Sequence, residues 1–110
     1  MRDEITINGK RYRVAANWNA IRDYCRRTGV TDLNEIGNVL RLGLDGVLTM
    51  AHCCLKEGER LDGRELEVSE EELGAVMGPV EMAGFVQVYV RQTTAGLPGT
   101  TETGEESKKK

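Results

Sequence analysis

Few residues in this chain could do chemistry. His52 is the single histidine, and it stands next to Cys53 and Cys54; Cys25 is the third and last thiol. Metal ligands usually sit two to four residues apart so that their side chains converge, whereas helix neighbours point about 100° apart. Adjacent cysteines are also poor disulfide partners, and an odd count does not form a secreted disulfide framework. The thiols are therefore expected to be reduced, and His52, near the polar edge of a helix, to be partly solvated. Glu70-Glu71-Glu72 places three carboxylates in a row, but consecutive residues radiate around a helix start, where the macrodipole favours them. Ser69 before them is explained as a cap. Gly43-Leu44-Asp45-Gly46 lacks the Lys and Ser/Thr of a phosphate loop, and no strand precedes it. No residue is assigned a catalytic, cofactor-binding or metal-binding role. The expectation is a non-enzymatic binding or assembly protein that needs no cofactor.

Size and charge agree with that class. The chain has 110 residues, 39% hydrophobic and 30% charged, with a formal charge of −3, a composition that fits one small globular domain. Apolar runs are only a few residues long, so no membrane span or signal core is expected and the cytoplasm is the default compartment. Charge is uneven. Residues 1–31 carry seven basic and three acidic side chains, residues 32–107 carry fifteen acids and five bases, and Lys108, Lys109 and Lys110 close the chain. A basic first third could touch phosphates, but aromatics are not interleaved with its cations as in a single-strand binder, so nucleic acid is not an expected partner.

The elements that must position these residues are legible in outline. Ile5-Thr6-Ile7 and Arg11-Tyr12-Arg13-Val14 alternate around Asn8-Gly9, the pair best suited to a type I′ turn. This predicts a hairpin over 5–14 with Ile5, Ile7, Tyr12 and Val14 facing the core. Asn17 as N-cap and Gly29 as C′ residue bound a helix over 18–28. Its apolar stripe is read as Trp18, Ile21, Tyr24, Cys25 and Thr28, with Trp18 in the core. Asp32 with Glu35 has the spacing of a capping box. Leu33, Ile36, Leu40, Leu44, Val47, Leu48, Ala51, Cys54 and Leu55 then keep one helical phase. One helix of that length would span ~35 Å, more than a globule this small accommodates. Gly43 and Gly46 offer a break, so helices over 32–42 and 44–57 are expected.

A polar connection turns at Asp62-Gly63, and Arg64–Val68 alternates as a short strand would. A Ser69/Glu72 capping box starts a helix over 70–77, and Pro79 opens another over 79–94. Residues 85–90 have strong β propensity, yet Met82, Ala83, Phe85, Val86, Tyr89, Val90 and Thr93 form a helical stripe, and length favours helix. Residues 95–110 read as a disordered polar tail. The expected fold is mainly α (α+β): an N-terminal hairpin packed on four to five helices in a single domain spanning 1–94.

This layout resembles the tail assembly chaperones of long-tailed bacteriophages and prophages. The likeness rests on the hairpin, on Asn19-Ala20-Ile21 in a helix ending at Thr28-Gly29, on the apolar helical pair, on the Ser-Glu-Glu-Glu-Leu cap and on a last amphipathic helix before a polar tail. The resemblance implies a non-catalytic protein of the bacterial host cytoplasm. It would coat the long tape-measure protein until tail-tube subunits polymerise around it. It further implies a frameshifted longer form in many members, for which Lys108–Lys110 is what an A-rich slippery run would encode; a solubilising tail or a cloning remnant explains those lysines equally well. A tape-measure segment would present an amphipathic helix. Val39, Leu42 and Val88 fall off the main stripes and, together with Met50, are the expected partner-binding surface, with self-association as another use of it. A small virion subunit of the tail or head–tail connector is the alternative. A helix-turn-helix regulator is weaker, because no Arg or Lys follows Leu44 until Lys56.

Overall fold

The computed structural model describes residues 3–31 and 39–96. The helix expected over 32–42, including Leu33, Ile36 and the Asp32/Glu35 cap, falls mostly outside the described residues, as do the side chains of Val39 and Leu40 and the expected tail from Leu97 onward. The architecture is mainly helical, with an N-terminal two-stranded antiparallel hairpin and four α-helices among the described residues.

Strands β1 (Glu4–Ile7) and β2 (Lys10–Arg13) pair with Ile5 opposite Tyr12 and Ile7 opposite Lys10. Asn8 and Gly9 both adopt positive φ, 54° and 82°, the twist that a two-residue hairpin turn requires. Ile5, Ile7, Tyr12 and Val14 are buried. Beyond β2 the chain lies on a helix: the Ala15 N–H donates to the Cys54 carbonyl at 3.2 Å.

Helix α1 (Trp18–Thr28) is capped as expected. The Ala20 N–H donates to Asn17 Oδ1 at 3.1 Å, and Gly29 takes the left-handed conformation. Its buried face is Ala20 and Tyr24, with Ile21 and Cys25 half-buried. Trp18 is not in the core: it is 60% exposed. Small Ala20 lets α1 come close to its neighbour, and Trp18 lies about 200° round the helix from Ala20.

A 3-10 turn over Val39–Leu42 leads through Gly43, φ 81°, into α2 (Gly43–Leu61). Helix α2 starts one residue before the expected 44 and runs past the expected 57. Gly58 does not stop it; this glycine is where β2 packs, and a Cβ there would lie 2.0 Å from the Arg13 carbonyl oxygen. Leu44, expected in the core stripe, is 93% exposed. Arg64–Val68 forms no strand.

Helix α3 (Glu70–Val76) begins with the complete Ser69/Glu72 capping box and buries Leu73. Helix α4 (Pro79–Gly96) resolves the strand-or-helix ambiguity at 85–90. Phe85, Val88 and Tyr89 face the core, while Ala83 and Val90, expected inside, are exposed. Gln92 turns the helix this way: its carboxamide is bonded to Asp3, Val14 and Ala16 beneath it.

Candidate functional site

The chemistry-bearing side chains converge between α1, α2 and α3, and they bind one another. Arg27 on α1 holds Asp23 through Nε and Nη2, at 3.2 and 2.8 Å. Its Nη1 lies 2.8 Å from His52 Nδ1 and 3.5 Å from a Glu70 oxygen. His52 Nε2 is 2.8 Å from the Val68 carbonyl, which can only accept. The ring therefore carries its proton on Nε2 and accepts from Arg27 at Nδ1. With both nitrogens occupied, His52 ties α1 to the segment before α3. The other Glu70 oxygen lies 2.8 Å from the Thr49 hydroxyl.

Cys53 borders this network, and burial pushes its thiol up to about 12. Burial likewise raises Cys54, which is wholly enclosed. Thiolates are the reactive and metal-binding form, so both thiols are structural. Among the described residues, no three His, Cys, Asp or Glu side chains come together as metal ligands would.

An open groove of about 770 Å³ runs between α1 and the C-terminal half of α2. Asn19, Asp23 and Arg26 stand on one side, and Lys56, Arg60 and Arg64 on the other. At its base Glu57 accepts from Asn17 and Asn19 Nδ2, at 2.8 and 3.3 Å, and from Arg60 Nε and Nη2, at 2.8 and 2.7 Å. The Arg60 hydrogen bonds, followed by those from the asparagines, outweigh burial and hold the Glu57 carboxyl down at about 2. Glu59, also buried, is gripped by Arg64. Each of these carboxylates is thus matched to its own arginine.

The four expected partner-binding residues do not form a surface. Met50 is 0% exposed and Val88 is 7% exposed, so both are core residues. Met50 packs inward because α2 is covered by α1 on one side and by the hairpin and α3 on others, so its solvent-facing arc is narrow. Leu42 is half-buried against the core, and Val39 has only its backbone described, in the 3-10 turn. Among the described residues the exposed large apolar side chains are others: Trp18, Leu44, Val80, Val90, and in part Leu61 and Val76. On α4, Val80, Ala83, Gln87, Val90 and Thr94 are exposed at alternating spacings of three and four, the pattern of a helix-pairing seam. That spacing is visible in the sequence, but the deeper stripe through Phe85 and Tyr89 hides it.

Among the described residues no single helix is long and apolar enough to cross a membrane; α3 and α4 reach that composition only jointly, across a 118° bend. Comparison with protein-family models, curated proteins and solved structures finds no match to this chain.

Proposed function

We propose that this chain is a non-catalytic tail assembly chaperone that binds a tape-measure protein and keeps it soluble until the tail tube polymerises. The reading rests on the order of hairpin, caps and helices along the chain. The observation that carries it furthest is the outward face of α4. Val80 is 81% exposed and Val90 45% exposed, with Ala83 and Gln87 between them at heptad-like spacing. An amphipathic helix in the partner would bury this seam as one helix packs on another. The reading is in keeping with Asp23, Arg27, His52, Glu57, Glu59 and Glu70 all being engaged in contacts within the chain.

Co-expression with a tape-measure protein tests the reading. The wild-type chain should keep that protein in the soluble fraction, and a Val80→Asp/Val90→Asp variant should leave it in the pellet. A tape-measure protein equally soluble without this chain defeats the proposal. Recovery of the chain from purified particles would replace it with the virion-subunit alternative.

A further inference from the structure

Trp18, Arg22 and Arg26 follow one another at four-residue spacing along α1, so they share one outward face of that helix. Trp18 is the only tryptophan in the chain. Arg22 and Arg26 are exposed, and neither has a hydrogen-bond or ion-pair partner among the described residues, unlike the fully engaged Arg27 beside them. Arg26 is also a wall of the open groove, so the helix face and the groove are continuous. Across the groove stand Lys56, Arg60 and Arg64. Arg60 and Arg64 hold their carboxylates through Nε and Nη2, which leaves their Nη1 groups uncommitted.

We infer that this face binds an acidic amphipathic helix of a partner protein. Its glutamates or aspartates would pair with Arg22, Arg26 and Lys56, and an apolar side chain would lie on the Trp18 indole. Tryptophan and arginine are the side chains that most often anchor protein interfaces. The cations are separated by Asp23, Glu57 and Glu65, also in the groove. Such a mixed track suits discrete carboxylates on a peptide better than a continuous phosphate chain, which favours unbroken positive potential and several stacking aromatics. The chain as a whole carries −3, so the attraction is local to this face. The inference is independent of the tape-measure reading, because the face would take an acidic helix from whichever protein supplied one.

The single tryptophan makes the test direct. The probe is a synthetic amphipathic helix of ~20 residues, long enough to be helical, with glutamates on one side and leucines on the other. Titration into the full chain should shift Trp18 emission to the blue and saturate. The affinity should fall roughly tenfold in Arg22→Gln/Arg26→Gln and fall again as salt screens the pairs. Circular dichroism should show both proteins folded alike. A glutamine version of the peptide should not bind. The inference is overturned by an unshifted spectrum, by equal binding of the glutamine peptide, by indifference to the double substitution, or by stronger binding of oligothymidylate, which would mark a nucleic-acid surface.

Discussion

The Gln92 carboxamide accepts from the Ala16 N–H at 2.6 Å, joining the last helix to the chain leaving the hairpin. The same side chain donates to the Val14 carbonyl at 2.7 Å and to Asp3 Oδ2 at 2.8 Å. One glutamine thus satisfies two backbone groups that no strand reaches. Gln92→Leu keeps much of the volume but strands the Val14 carbonyl and the Ala16 N–H. We predict a loss of about 3 kcal/mol, measured by urea unfolding, and faster amide exchange at Ala16.

Glu57 makes stability pH-dependent. Its folded value, about 2, lies below the ordinary 4.5, so the carboxylate form favours the fold. That contribution is complete above 4.5 and is lost as pH falls from 4.5 through 2. Glu57→Gln should be less stable than wild type at neutral pH, and the difference should shrink across this window. Melting temperatures at stepped pH values check the sign.

The thiols should divide by burial. Cys53, raised to about 12, and Cys54, raised well above the ordinary thiol value by burial in the core, hold almost no thiolate at pH 8. Half-buried Cys25 should be the first to react with a colorimetric disulfide reagent. The other two should react only on denaturation, and prompt reaction of all three in the native protein would contradict the packing.

Met50 and Leu44 lie on the same helix but should behave oppositely. Met50→Ala empties a fully enclosed site and should cost about 3 kcal/mol. Leu44→Ser, at a site 93% exposed, should shift stability by less than about 0.5 kcal/mol. Chemical denaturation of the two variants measures the contrast.

Gly58→Ala would raise helix propensity but drive a Cβ to 2.0 Å from the Arg13 carbonyl oxygen. Because the obstacle is backbone, either β2 or α2 must move. We predict a net loss of about 2 kcal/mol or more by urea unfolding, with Gly63→Ala, at φ 79° in the open, costing less.

Local interactions make much of the fold legible in the amino-acid sequence. The hairpin register follows from Asn8-Gly9. The start of α1 follows from Asn17, its end from Gly29, and the start of α3 from the Ser69/Glu72 box. Each is decided within about four residues, which is the range over which caps and turns act. The candidate surfaces are less legible. Periodicity assigns Trp18 to the core because it shares an edge with Ile21 and Cys25, and Val88 to the surface because it falls off the stripe through Val86 and Val90. The structure reverses both assignments.

Sequence alone thus sets where most elements begin and end and which secondary structure they adopt. The tertiary structure decides which side of each helix turns inward. Helices α1, α2 and α4 carry apolar residues on more than one side, so periodicity leaves their rotation open by a fraction of a turn. Contacts distant in the chain close that choice: Gln92 reaches Val14, 78 positions away, and Gly46 lets Tyr24 approach α2. A rotation that buries Val88 and Met50 while exposing Trp18 and Val90 is set by close packing and by the need to pair buried backbone groups, and neither can be read from one helix in isolation.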